Sequence, residues 1–420
     1  MSFFRQLYGD YSQAFGLFSR NARLFLLGNL LLGIGSNMVQ LLLNLYLKRL
    51  GLNEEAIGTI LAFRAFGSFA IALPASLVIA WMDSRLLLSS ATVLTALAFA
   101  GQGIMQGFGP LAASVMFSGA FASLYQVAAG PFFMKNSSQA ERVHLFALNG
   151  ALSMGTGVVG SLVGGVFKDL IQDATGDELY AYRMTLILGA CFVASAVAPF
   201  LGIRENPGAG WDKGTGMARF KPAALGKIDV RLFARLLVPG FFVGMGAGLT
   251  IPYLNLYFKN EFGLGDSAIG FIFALGQVGT FLGMVSGPVI AGKTGKPWAI
   301  FLTQVISVPF ILILTYLRFL PLVIIAFVAR QSLMNTSTPI ADNFALEQVP
   351  PQQQHLINAL KMLNWTGSWM ISAKISGMII ATRGFAPSFT LTAFLYTLSS
   401  ALFWWFFLSG SSSRAATTKS

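Results

Sequence analysis

The chain of 420 residues is 55% hydrophobic and only 10% charged, whereas a typical soluble domain carries about 25% charge. Too few charges remain to cover a soluble protein's surface, which excludes a water-soluble enzyme or binding domain and implies a membrane protein. The net charge of +12 sits mostly between apolar runs, so it reads as an orientation signal and excludes nucleic acid as a partner.

Residues 1–23 lack the apolar core of a cleavable signal. Phe4, Tyr8, Tyr11, Phe15 and Phe18 recur at steps of four and three, flanked by Arg5, Arg20 and Arg23. That spacing predicts a helix lying on the cytoplasmic membrane surface. Twelve apolar runs follow, near 24–47, 57–80, 86–106, 110–134, 143–167, 182–203, 232–258, 267–291, 298–317, 321–346, 356–381 and 386–408. Each is long enough to cross roughly 30 Å of hydrocarbon. The expected fold is therefore an all-α membrane protein of twelve transmembrane helices. The runs divide into a six-helix half over 24–203 and another over 232–408. Between them 204–231, with Pro207, Gly208, Pro222 and many charges, reads as a cytoplasmic linker, and 409–420 as a cytoplasmic tail. One sizeable outer loop is expected at 168–181, a solvated segment with Asp169, Asp173, Asp177 and Glu178. With the N-terminus inside, seventeen Lys and Arg fall on the cytoplasmic side and seven in the outer loops. The bias places both termini in the cytoplasm.

The chain is written twice. Asn44-Leu45-Tyr46-Leu47-Lys48 returns as Asn255-Leu256-Tyr257-Phe258-Lys259, and Ala56-Ile57-Gly58 as Ala268-Ile269-Gly270. After a one-residue insertion the offset holds at 212: Gly67 falls on Gly279, Ala147-Leu148 on Ala359-Leu360, and Gly165 on Gly377. Six spans return the chain to the side it started from, so the halves are parallel pseudo-repeats.

Between spans 8 and 9 stands Gly292-Lys293-Thr294-Gly295-Lys296, and between spans 2 and 3 Asp83-Ser84-Arg85-Leu86-Leu87. With twelve spans, a six-plus-six split, a basic central loop and parallel halves, the chain resembles the major facilitator superfamily in its bacterial twelve-helix form. The first loop motif is worn down, and the second keeps its glycine and basic residues but has Gly292 where the family has an acid. The resemblance implies a central cavity lined by spans 1, 4, 7 and 10. It also implies packing of span 5 on span 8 and span 2 on span 11 across the halves. Small residues recur on all four: Gly279, Gly283 and Gly287; Gly157, Gly160 and Gly164; Ser68, Ala72 and Ser76; Ser368, Ser372 and Ser376. Such stripes let helices approach closely, either inside a half or along a seam between halves.

Polar residues inside spans are expensive and point inward. Asn29, Gly33, Asn37, Gln40 and Asn44 share one face of span 1, and Gly240, Gly244, Gly248, Ile251 and Asn255 the matching face of span 7, near Tyr253 and Tyr257. Span 4 offers Ser114, Ser118 and Tyr125. Arg330, nine residues into span 10, lies about 13 Å deep and falls on Ser118 in the repeat. Asn335 and Gln331 share a face with Asp342. The expected solute contacts are Asn37, Gln40, Asn44, Ser118, Tyr125, Tyr253, Asn255, Arg330 and Asn335, each open to the alternative of a helix–helix hydrogen bond. Arg64 and Lys361 are candidates for the path or a gate. Asp342 is the candidate for proton coupling, since burial raises a carboxyl pKa, with a salt bridge as its alternative. Trp365 reads as a core or interfacial residue, with sugar stacking as the alternative.

No phosphate loop, dinucleotide fingerprint or ATP-binding domain is present in the sequence. The one cysteine, Cys191, leaves no disulfide and no cysteine-based metal site. The chain is therefore expected not to be an enzyme and to need no cofactor or metal. The expected function is secondary transport of a small neutral or anionic organic solute by alternating access in the inner (cell) membrane, by a monomer, with H+ as an optional partner. Efflux of amphipathic drugs is the alternative within transport. A non-transporting sensor or assembly factor is the alternative outside it, and the worn first motif favours that one.

Overall fold

The computed structural model describes residues 18–136, 139–204 and 228–409, which are helical with no strand among them. The first six helices are α1 Arg20–Arg49, α2 Glu54–Trp81, α3 Ser84–Ile104, α4 Phe108–Asn136, α5 Gln139–Thr175 and α6 Glu178–Ser195. The second six are α7 from Val230, α8 Asp266–Thr294, α9 Lys296–Tyr316, α10 Leu320–Glu347, α11 Gln354–Arg383 and α12 Phe385–Phe407. By length and composition ten helical stretches among the described residues are apolar enough to cross a membrane. Lys361 and Lys374 interrupt α11.

Prolines shape two helices. Pro199 lacks an N–H and its ring crowds the carbonyl four residues back, so α6 stops at Ser195 and resumes as Val197–Leu201. Pro252 does the same in α7, which runs Val230–Thr250, turns once as a 3-10 helix over Ile251–Tyr253, and continues as Leu254–Phe262.

The expected loop at 168–181 is corrected. α5 continues to Thr175, and only a short turn at Gly176 separates it from α6, whose start is capped by Asp177 accepting from the Tyr180 amide at 3.0 Å. Lys168, counted above as a loop cation, is 1% exposed. It is held by Gln172 Oε1, lies 3.4 Å from Asp169 and 3.6 Å from Glu178, and sits 4.7 Å from the Tyr182 ring centroid. These local partners allow a charged turn to stay helical where apolarity ends. The aromatic stripe expected on a surface helix lies outside the described residues except for Phe18, which is buried in a core with Phe25, Tyr125, Phe132 and Phe200. The linker lies mostly outside them too. Asp229, at its end, caps α7 by accepting from Arg231 and Leu232 amides at 3.0 and 3.1 Å. Asp229→Ala should cost about 1 kcal/mol. A melting temperature in detergent equal to wild type would show the cap to be inert.

Packing divides the chain into two compact units. One holds the described residues up to Leu43 and those from Gly67 to Arg204; the other holds Asn44–Phe66 and the described residues from Ile228 onward. The boundary thus departs from the repeat: 44–66, first-repeat in sequence, packs with the second unit. In each unit the small-residue stripes have found partners inside their own half. In the first unit α2 meets α4, where a Cβ on Gly67 would overlap the Met116 carbonyl oxygen and Ser68 Oγ donates to Gly119 O at 3.0 Å. There α5 meets α1, a Cβ on Gly160 falling 2.6 Å from Ile34 O. In the second unit α8 meets α10, Gly283 against the Ser332 carbonyl, and α11 meets α7, Gly244 against Ser368 and Gly248 against Ser372. The pairs 2·4 and 1·5 reappear as 8·10 and 7·11, as the repeat requires. The side chains of Ala72 and Ser76 lie outside the description.

The duplicated block also repeats its loop. Gly51 and Gly263, at the offset of 212, both turn the chain with φ of 88° and 64°. Lys48 pairs with Glu54 at 2.6 Å, and Lys259 with Asp266 at 3.0 and 3.2 Å.

Candidate functional site

In the first unit the polar face of α1 meets α4 and α5. Asn29 donates to Asn149 Oδ1, and Tyr125 Oη donates to Asn29 Oδ1 at 3.4 Å. Tyr125 is 5% exposed beside Phe25 and Phe200, so it is core with one polar tip. Ser118 is buried between α4 and α3, accepting from Gln102 Nε2 at 3.1 Å and donating to Val115 O at 2.7 Å. Asn37 is half-buried and donates back to Gly33 O at 2.8 Å, while Gln40 is exposed. Of the first-unit candidates, these last two keep side-chain surface open.

In the second unit Arg330 is 1% exposed. It donates to Gln331 Oε1 at 3.1 Å and to Tyr396 Oη of α12, and its guanidinium carbon lies 5.5 Å from the Tyr396 ring centroid. Its Nε has no acceptor, and no carboxylate pairs with it among the described residues. Tyr396 fits because α7 has Gly246 there; a Cβ would stand 2.7 Å from Cε1 of the ring. Asn335, half-buried, donates to Gln331 O at 2.8 Å and approaches Thr280 Oγ1 at 3.4 Å. Arg64, also packed with the second unit, is half-buried.

Asn44 and Asn255 are both buried. Asn44 Nδ2 donates to the Pro252 carbonyl, and Asn255 Oδ1 accepts from the Leu256 amide at 2.9 Å. Tyr253, fully buried, donates to Ala373 O of α11 at 2.7 Å. Around the same break, Leu249 O accepts from Ser376 and Ser388, and Thr250 pairs with Thr392 at 2.8 Å. Asp342 takes the salt-bridge alternative: its side chain is 54% exposed, in an ion pair with Lys361 Nζ of α11. Trp365 is 44% exposed, its ring 5.9 Å from that of Trp369 and against Gly244 of α7.

Sequence reasoning missed Tyr396, Gln102 and Asn149. The first had a signal: Ser388, Thr392, Tyr396 and Ser400 stand four apart in α12 and are all buried. Asn149 falls on Lys361 at the offset of 212, so the repeat pointed to it as well.

Twelve helices in two pseudo-repeats, with buried polar residues along α1, α4, α7 and α10, define a multi-pass membrane protein of transporter architecture. The model of the Major Facilitator Superfamily matches residues 25–360, and the chain belongs to that family. Solved structures share the fold. The nucleoside transporter NupG aligns with a TM-score of 0.74 at 12% identity, covering 92% of this chain and 98% of its own. A bacterial homologue of the human lysosomal transporter Spinster, inward-facing and occupied, aligns at 0.74 and 13%, covering 91% and 95%. A bacterial homologue of the iron transporter ferroportin, inward-facing, aligns at 0.71 and 15%, covering 91% and 98%. At such identities the likeness establishes the fold alone. No curated protein matches the sequence.

Proposed function

We propose that the chain is a secondary transporter moving a small neutral or anionic organic solute by alternating access in the cell membrane, with both termini cytoplasmic. Arg330 carries the reading on the solute. Among the described residues no acid pairs with this buried cation, so it makes the interior of the second unit positive. The acid on its own helix, Asp342, is twelve residues away, about 18 Å along the axis at 1.5 Å per residue. A solute charge about 8 Å from the guanidinium gains about 2 kcal/mol at an effective dielectric of about 20, roughly thirtyfold in affinity.

In the second unit solute contact falls to the side chains with free surface, Gln331 and Asn335, with Arg330 directly behind Gln331. In the first unit Asn37 and Gln40 keep free surface. Arg64 and Lys361 are assigned to the path. Asn44, Ser118, Tyr125, Tyr253 and Asn255 are engaged with protein and set shape.

Proton coupling through Asp342 is not part of this proposal, because the carboxylate is exposed and paired with Lys361. Asp342→Asn should leave the dependence of uptake on an imposed pH gradient unchanged; loss of that dependence would restore Asp342 as a proton carrier.

The test of the reading is counterflow in proteoliposomes with carboxylates, sugar phosphates, neutral sugars and nucleosides. Exchange of an anionic or neutral solute supports it. Flux of cationic amphiphiles alone overturns it in favour of drug efflux. A solute that raises the melting temperature without any flux overturns it in favour of a sensor.

A further inference from the structure

The end of the second unit at which α7 starts and α12 stops carries a cationic and aromatic cluster that the transport reading does not use. Arg231 and Arg235 stand four residues apart on one face of α7, about 6 Å apart along its axis. Both are exposed, and neither has a carboxylate partner among the described residues. The acid beside them in sequence, Asp229, is taken by the Arg231 and Leu232 amides. The same face of α7 continues through Val238, which is also exposed, so it turns from charged to apolar within two turns.

α12 supplies the other wall. The two helices touch where the Pro239 carbonyl accepts from Ser399 Oγ at 2.8 Å. One to two turns nearer this end, the Arg235 guanidinium carbon lies 6.0 Å from the Phe406 ring centroid. Phe406 in turn stacks on Trp405, with 5.5 Å between centroids. Trp404 and Trp405 are 45% and 65% exposed.

The stability of α7 does not account for the two arginines. Like charges four residues apart repel on a helix, and cations in its first turns oppose its dipole. Exposed indoles of a membrane helix sit at the level of the lipid headgroups, which is where phosphates are found. Two guanidinium forks one turn apart can both donate to a single phosphodiester. The rings of α12 and the Val238 side chain then lie beside the acyl chains below it.

We propose that α7 and α12 form a binding site for one anionic phospholipid. Its phosphodiester rests on Arg231 and Arg235, and its acyl chains run along Val238 and Trp405. A zwitterionic lipid brings an ammonium group toward the same two cations and is disfavoured. A soluble phosphate lacks the chains and loses the apolar wall. The site is separate from the solute contacts proposed above, so it stands whatever the solute is.

The full chain in detergent is mixed with equimolar phosphatidylglycerol and phosphatidylcholine of the same acyl chains, and the retained lipid is counted by native mass spectrometry. Wild type should prefer phosphatidylglycerol about thirtyfold, from about 1 kcal/mol for each cation beside an anionic headgroup. Arg231→Gln and Arg235→Gln should each lower the preference about fivefold, and the double variant should retain the two lipids equally. Lys293→Gln removes an exposed cation without an ion pair at the end of α8, on the same side of the bundle, and should change nothing. An undiminished preference in the double variant, or an equal loss in Lys293→Gln, would overturn the site and leave the arginines as orientation signals. The melting temperature distinguishes the sources of phosphate. Phosphatidylglycerol should raise that of wild type and not that of the double variant, and inorganic phosphate at the same concentration should raise neither. An equal rise with inorganic phosphate would overturn the lipid in favour of a soluble anion. Should the double variant fail to fold, each single variant carries the test, with a fivefold loss expected and an unchanged preference counting against the site.

Discussion

Arg330→Met should leave the protein folded with a melting temperature close to wild type, and should lower its affinity for an anionic solute about thirtyfold while sparing a neutral one. The stability half follows from burial. Taking a guanidinium out of water costs several kcal/mol, and replacing buried ions by apolar groups of similar volume is neutral or stabilising by about 1–4 kcal/mol. Arg330 has no carboxylate to offset that cost, and its Nε is unmet. Against this, methionine strands the Tyr396 hydroxyl, at about 1–3 kcal/mol. The two effects nearly cancel, so the single variant is expected near neutrality. Arg330→Met combined with Tyr396→Phe should then exceed wild-type stability. The functional half follows from the field, about 2 kcal/mol at about 8 Å. Competition of anionic and neutral solutes for uptake measures it. Equal losses for both would mean that Arg330 shapes the helix bundle and does not select charge.

Gly67→Ala should be the most damaging single methyl group that can be added to the first unit. Its Cβ would overlap the Met116 carbonyl oxygen and stand 3.2 Å from the Ala120 amide. Both are backbone, so no rotamer change relieves the contact, and α2 must lift off α4. The Ser68 to Gly119 hydrogen bond, 3.0 Å long, goes with it. Overpacking costs about 1–3 kcal/mol and the lost bond about 1 kcal/mol, together about 2–4 kcal/mol. Gly150→Ala is the control, since no atom lies within 4 Å of its Cβ position and alanine favours a helix. Unfolding in detergent should separate the two variants by roughly 4–16 °C, at about 2–4 °C per kcal/mol for a unit of this size. Equal melting temperatures would remove the claim that α2 and α4 meet backbone to backbone.

Hydropathy found all twelve helices, because a span must satisfy its own backbone and stay apolar for about twenty residues. It failed at 168–175, where the helix leaves the apolar run. Lys168 holds that turn through Gln172, four residues on, a pairing that an apolarity count does not register. Among polar residues the face was legible and the neighbour was not. Asn44 and Asn255 were singled out by spacing and by the repeat, yet what they bind is a backbone carbonyl and a backbone amide. Arg330 was singled out by depth; Tyr396, its partner sixty-six residues later, came only with the fold.

The sequence by itself determined the number of helices, the duplication and its offset, and the polar or small-residue faces of the spans singled out above. Those are properties of period and composition along one chain. Only the tertiary structure decided that the small-residue stripes are met inside each unit, that 44–66 packs with the second unit, that Asp342 is exposed and paired, and that Arg330 rests on a phenol. Each of these depends on a match of about 3 Å between atoms of different helices. Helical period gives a residue's direction around its own axis, and packing alone sets which helix stands there and at what height.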